Sequence, residues 1–266
     1  MTIRSDDLRL DWLGYATARI EGPDGTVLYT DPGRYGVLDG TWAEQYPDDA
    51  ARDDHPRGPD YDARDGDVVL VTHDHHYDPD GVRRVASEDA TVVVYEGVSA
   101  DGVAQNSGRE VVEPDALDFD VRRVSYGDRV ALGTGEGAVS VDVVPAYNEP
   151  DGDRAGPDGT VPHPRELGCG YVATVGGRRC FWTGDSDAVP EHADLDVDVF
   201  LPTIEGTYTM DRHEAADLAE ALDPELVLPI HYNTFEALRG DGVAFAGDVA
   251  SRGIPVALDP GWPEQR

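Results

Sequence analysis

The sequence predicts an α/β domain, in which short buried strands come in clusters and helices are inserted between some of them. Three observations carry this. Short apolar runs such as VVLVT, TVVVY and VSVDVV recur along the chain, each bounded by Gly, Pro, Asp or Ser, as buried strands are. One amphipathic helix is marked by its own start and stop signals. No stretch approaches the ~18–20 consecutive apolar residues of a membrane span. The order of elements fits two sheets sandwiched between helices, and equally an open α/β sheet.

Taken in order, Leu8–Leu13, Ala16–Ile20 and Thr26–Thr30 read as strands, with Pro23-Asp24-Gly25 turning between the last two. Val68–Thr72 and Thr91–Tyr95 follow, with a helix expected over Pro79–Ser87 between them. Further strands are Val139–Val144, Cys180–Thr183, Asp196–Leu201 and Leu226–Ile230. The marked helix has Asp211 as N-cap and Glu214 at N3, a capping-box arrangement. Ala215, Leu218, Ala219 and Leu222 then fall at i, i+3, i+4 and i+7, and Asp223-Pro224 stops it. Asp39–Asp67 reads as a long loop or lid, and Glu149–Pro162 as a turn-rich surface loop. No repeat or clean linker divides the chain, so residues 1–266 are read as a single domain.

All 21 basic residues are arginine, against 54 acidic ones, giving a net charge of −33. Such a charge repels itself in a compact chain unless salt screens it. The composition resembles that of proteins from salt-accumulating halophiles. With no lysine and no arginine cluster, the footprint expected for nucleic acid or an anionic membrane is missing. The start, MTIRSDDLRLDW, has no apolar segment of a secretory signal, so a soluble, cytoplasmic protein is expected. A small molecule is the expected partner, and a homo-oligomer is compatible with the sequence. The cysteines, Cys169 and Cys180, flank a hairpin signal at Val175-Gly176-Gly177-Arg178. That register pairs Cys180 with Ala173 and Cys169 with Gly184, so both thiols should be free, as in a reducing compartment.

The chemistry collects where buried strands end. VVLVT runs into His73-Asp74-His75-His76-Tyr77-Asp78, VDVV into Pro145-Ala146-Tyr147-Asn148, CFWT into Gly184-Asp185-Ser186, and LVLPI into His231. Strand ends on one rim bring such loops together. Imidazole and carboxylate ligands in that setting suit Zn²⁺ first, with Fe²⁺ or Mn²⁺ as alternatives. Of the 8 histidines, His55, His192 and His213 read as solvated, which leaves His163 and His231 as candidates beside the cluster.

These residues resemble the metallo-β-lactamase-fold hydrolases, in particular the branch close to ascorbate-6-phosphate lactonases. The resemblance runs through WLGYATARI (12–20), Asp31-Pro32, THDHH (72–76), VPAYN (144–148), HPRELGCGYV (163–172), WTGDSDAVPE (182–191), LPTIEGTYTMDRHEAADLA (201–219) and LPIHYNT (228–234). It implies an αββα sandwich with a metal site at one edge. It further implies His73, His75 and His163 on one metal, Asp185 bridging to a second, and His231 on that second metal. The family's motif aspartate is missing, so the second position needs either His76 or Asp78 to complete it. One firmly held metal and a second, doubtful one are expected. Tyr15 stands where the branch has a histidine. The implied activity is hydrolysis of a small lactone, ester or phosphodiester by metal-activated water, with Asp185 and His231 as catalytic groups and Tyr208 or Tyr232 as oxyanion donors. A nuclease, and a metal-binding protein without turnover, are the competing readings.

Overall fold

The computed structural model describes residues 2–50, 60–133 and 135–259. Two mixed sheets form its centre. The first has seven strands in chain order: β1 (Ile3–Ser5), β2 (Leu8–Gly14), β3 (Thr17–Glu21), β4 (Val27–Thr30), β5 (Gly66–Val71), β6 (Ala86–Tyr95) and β7 (Asp120–Val124). Its β1–β4 half is antiparallel, and β4 through β7 run parallel. The second sheet comprises β8 (Arg129–Leu132), β9 (Val139–Ala146), β10 (Gly168–Val175), β11 (Arg178–Trp182), β12 (Val199–Leu201) and β13 (Leu226–Val227), again paired in order. Here β8–β11 are antiparallel and β11–β13 parallel. Val68–Val71 are all buried, as expected for a parallel strand covered on both faces. The helices are α1 (Trp42–Gln45), α2 (Pro79–Val85), α3 (Ala100–Ser107), α4 (Arg212–Leu222) and α5 (Gly242–Ser251), with α4 packed on α5. This is the αββα sandwich, and it removes the open-sheet alternative.

Two hydrogen bonds join the sheets where β5 ends. The Tyr171 hydroxyl donates to the Val71 carbonyl at 2.9 Å, and the Cys169 amide donates to the Thr72 carbonyl at 3.2 Å. The functional rim is therefore anchored to both sheets at once. The hairpin register is the one expected, Val175 opposite Arg178 and Ala173 opposite Cys180, and both cysteines are buried and free.

Several boundaries move. The helix at Pro79 ends at Val85 rather than Ser87, because β6 starts at Ala86 and takes the next residues into the sheet. β12 begins at Val199, three residues later than Asp196. β13 is only Leu226–Val227, although Leu228 and Ile230 still donate to Phe200 and Pro202 carbonyls. The 39–67 stretch is not simply a loop, since it contains α1 and buries Trp42. Its residues 51–59, including His55, lie outside the described residues. The 149–162 loop is docked by Arg154, which pairs with Asp187 at 3.0 Å and with Glu214 at the start of α4.

Candidate metal centre

Parallel strands deliver their C-terminal ends to one rim, and the loops that follow β5, β9, β11 and β13 supply the site. Ring nitrogens of His73, His75 and His163 lie within 4.8 Å of one another, and His73, His76 and Asp185 form a second such group. Asp185 stands between them. Its Oδ2 is 3.6 Å from His73 Nε2 and 3.3 Å from His163 Nε2. Its Oδ1 is 3.5 Å from both His76 Nε2 and His231 Nε2, and those two nitrogens are 3.1 Å apart. One carboxylate thus turns one oxygen to each of two histidine pairs.

The surrounding hydrogen bonds aim the ligand atoms. Asp31, fully buried, accepts from the Thr72 amide (2.8 Å), the Thr72 hydroxyl (2.8 Å), Trp182 Nε1 (2.7 Å) and His76 Nδ1 (3.0 Å). With its proton given to Asp31, the Thr72 hydroxyl accepts from His73 Nδ1 at 2.9 Å. His163 Nδ1 faces only acceptors, Asn148 Oδ1 at 3.2 Å and the Tyr208 carbonyl at 3.3 Å. Asn148 is itself fixed by donating to Asp187 at 2.8 Å. For His73 and His163 these partners place the proton on Nδ1 and turn Nε2 inward, the orientation a metal needs, and Asp31 turns the Nε2 of His76 the same way. Asp31, Asn148 and Asp187 were not singled out as site residues in the sequence. The signal was there for Asp31, a carboxylate ending a buried strand before proline, as it was for Asn148 in the PAYN segment.

Three of the histidines, His73, His75 and His231, are held neutral by their surroundings, and His76 is not. Burial holds His73 well below the usual imidazole range, and burial brings His75 and His231 down to about 4. Burial opposes the charge of Asp185 too, but His231, His76, His163 and His73 outweigh it and keep the carboxyl well below its ordinary value. Burial works against protonation of His76 as well, yet Asp185 and Asp31 carry its pKa above the usual value. His73 Nε2 and Asp185 Oδ1 are buried without a hydrogen-bond partner. Unsatisfied buried acceptors are costly, and a cation between them removes the cost. The residues present therefore fit a divalent metal.

The backbone is shaped to allow this packing. Gly184 has φ of 62°, and a Cβ there would fall 2.4 Å from the Cys169 carbonyl oxygen. A Cβ on Gly168 would lie 2.7 Å from that of His73. His231 itself sits at φ 61°, a left-handed conformation that a non-glycine residue adopts at some cost.

Of the sequence candidates, His73, His75, His76, His163, Asp185 and His231 come together. Asp78 does not. Its carboxylate caps α2, accepting from Asp80 at 3.0 Å and from the Arg34 amide at 2.9 Å. Of the two groups expected to compete for the missing place, His76 is the one in the cluster. Tyr232 is a second correction. It stacks on Trp12 at 4.9 Å, with its hydroxyl against Gly242 at the start of α5, and does not line the cleft. Tyr208 does line it. His192 is a third, being fully buried and donating from Nε2 to the Pro145 carbonyl at 2.7 Å, whereas His213 is exposed as expected. A cleft of about 460 Å³ opens beside the cluster, with His75, His163, Asp185 and His231 at its base.

A family model described as beta-lactamase superfamily domain matches residues 9–231. A UPF0173 metal-dependent hydrolase of Salinibacter ruber is 28% identical over 241 residues, covering 89% of each chain. One from Thermus thermophilus is 36% identical over 109 residues, 40% of this chain and 47% of the relative, so the chain spans about half the length of that curated relative. Two solved structures share the fold. Igni18, a metallo hydrolase of Ignicoccus hospitalis, has a TM-score of 0.62 at 22% identity over 96% of each chain. The metallo-β-lactamase-fold protein YhfI of Bacillus subtilis has 0.58 at 14%, covering 97% of this chain and 99% of its own. The order of strands, the sandwich and the matched span agree, and the chain belongs to the beta-lactamase superfamily, with the metallo-β-lactamase fold.

Proposed function

We propose that this protein is a metal-dependent hydrolase with a two-position metal centre, acting on a small-molecule lactone, ester or phosphodiester. The observation that carries the reading is Asp185, whose two oxygens face the His73/His163 pair and the His76/His231 pair respectively. His73, His75 and His163 would hold one divalent ion and His76 and His231 the other, with Asp185 shared. Zn²⁺ suits this set best, and Fe²⁺ or Mn²⁺ suit it next. Bound there, such a metal supplies water of near-neutral pKa as nucleophile and a Lewis acid for the attacked oxygen.

The chain's own groups do the rest. Asp185 stays ionised and can accept a hydrogen bond from the attacking water, which orients it towards the cleft. Asp31 and Thr72 keep the His73 and His76 rings from turning, and Asn148 does the same for His163. Tyr208, 40% exposed at the rim of the cleft, is placed to donate to a substrate oxygen. The relatives called metal-dependent hydrolases support the reading. The test is a panel of chromogenic esters, lactones and phosphodiesters with metal-reconstituted protein. Turnover that disappears with chelator and returns with Zn²⁺ or Mn²⁺ is expected. A metal-loaded protein that turns over none of them would point instead to a metal-binding protein without catalysis.

A further inference from the structure

Both acceptors that face His163 Nδ1 lead back to one side chain outside the metal centre. They are Asn148 Oδ1 at 3.2 Å and the Tyr208 carbonyl at 3.3 Å. The Asn148 amide lies this way round because its Nδ2 donates to Asp187 Oδ1 at 2.8 Å and to the Tyr208 carbonyl at 2.9 Å. Arg154 Nη1 stands 3.0 Å from the same Asp187 oxygen, and Arg154 Nε donates to the Thr209 carbonyl, one peptide beyond Tyr208. Arg154 belongs to the turn-rich 149–162 loop, in which residues 151, 153 and 157–160 are exposed, yet its own side chain is only 6% exposed. Among the described residues it is the one cation paired with Asp187, itself buried. Breaking a buried ion pair from one side leaves an uncompensated charge, which is strongly unfavourable. Without the guanidinium, Asp187 gains by turning towards water, and Asn148 loses the acceptor that holds its NH2 away from His163. A released amide presents its NH2 to Nδ1 as readily as its oxygen. An Nδ1 that accepts leaves the proton on Nε2, the nitrogen 3.3 Å from Asp185.

We infer that Arg154 is a positioning residue for the His73/His75/His163 position. Through Asp187 and Asn148, and through the Thr209 carbonyl, it keeps acceptors against His163 Nδ1 and so keeps Nε2 bare. The 149–162 loop and that metal position are thereby fastened to each other, although no residue from 149 to 162 is itself a ligand. This rests on the metal-centre reading for the same site and extends it to a loop outside the cluster.

The test uses the full chain in molar KCl, where a buried pair is screened little. In metal-free protein labelled with nitrogen-15, the His163 ring nitrogens, assigned by their loss in His163→Gln, should show the proton on Nδ1. Arg154→Met should move that signal towards a mixture of the two tautomers, a readout that needs neither metal nor turnover. Zn²⁺ affinity is then read by equilibrium dialysis in a His76→Ala background, which leaves the His73/His75/His163 position to be filled. Arg154→Met should weaken it about tenfold, the lower end of what losing an outer-shell partner costs. Arg154→Lys, which keeps the charge but lacks the fork, should recover part of that loss. Should Arg154→Met not fold by circular dichroism, Arg154→Lys carries the test, with a severalfold loss expected and no loss overturning the inference. If Arg154→Met folds and its loop is cut faster by subtilisin, yet the His163 nitrogens and the Zn²⁺ affinity match the parent protein, Arg154 only docks the loop and the inference is overturned. If the His163 signal moves but neither protein binds Zn²⁺, the metal reading fails and the positioning of His163 by Arg154 stands.

Discussion

His76 shows what a single residue decides. The motif resemblance leaves its place open with Asp78, because the motif aspartate is absent and either residue can stand for the motif's last histidine. In the structure Asp78 caps α2, while the Nδ1 of His76 donates to Asp31 and its Nε2 faces Asp185. Removing an outer-shell partner of a metal-binding histidine typically costs 10–100-fold in affinity. Asp31→Asn should therefore weaken the metal held through His76 by about that much and, acting through Thr72 on His73, the other position by less, while His75→Ala mainly affects that other position. Equilibrium dialysis at graded free Zn²⁺ would resolve the two, and equal weakening of both positions by Asp31→Asn would contradict the assignment.

A pH dependence also belongs to the residue scale. Burial lowers His75, His192 and His231 to about 4, while the unfolded imidazole titrates near 6.5. The unfolded chain then binds more protons than the folded one between these values. The stability these neutral histidines confer is full above ~6.5 and is lost as pH falls towards ~4. His73, also held low by burial, adds to this, and His76, raised instead, acts in the opposite sense only above ~6.5. Metal-free protein should lose melting temperature steadily from pH 7 to pH 4.5, by calorimetry in molar KCl. A flat profile would mean that these side chains reach water.

At the scale of elements, strands buried on both faces were legible and edges were not. VVLVT and TVVVY have no other use than a covered parallel strand, and β5 and β6 bear that out. β7 and β8, at the sheet edges, carry Arg122, Arg123 and Arg129 and expose most of their residues, so their sequences resemble loops. α3 and α5 escaped notice because their apolar stripes are thin and glycine lies within both. α4 was clear because its cap is. Asp211 accepts from His213 and Glu214 amides at 2.8 and 2.9 Å, and Glu214 Oε2 accepts from the Asp211 amide at 2.7 Å. Asp211→Ala should cost about 1 kcal/mol in chemical denaturation, the ordinary value of an N-cap. Glu214→Ala should also release Arg154 and the 149–162 loop, detected as faster proteolysis within that loop. An unchanged digestion pattern would show that Arg154 holds the loop through Asp187 and the Thr209 carbonyl without Glu214.

At the scale of the whole molecule, charge is the dominant feature. Many arginines are spent on local pairs, such as Arg64 with Asp62 at 2.7 Å and Arg239 with Glu236 at 2.9 Å, but these leave −33 uncompensated. Exposed pairs of this kind contribute little each. Folding should need molar salt, since the Debye length is ~30 Å at 0.01 M and only ~3 Å at 1 M. Circular dichroism against KCl concentration should show a cooperative transition, and a native spectrum in dilute buffer would argue otherwise. Histidines spread from 73 to 231 converge only because the two sheets bring their strand ends to one rim, so the site is a property of the whole fold.

The number of metal ions held per chain separates a one-position from a two-position centre. The sequence favoured one firm position, and the placement of His76 beside Asp185 and His231 argues for two. Elemental analysis after gel filtration of Zn²⁺-loaded protein should give close to two ions per chain, falling to about one in His76→Ala and unchanged in Asp78→Ala. A single ion whose retention ignores His76, or loss of the second ion in Asp78→Ala with the fold intact by circular dichroism, would contradict it.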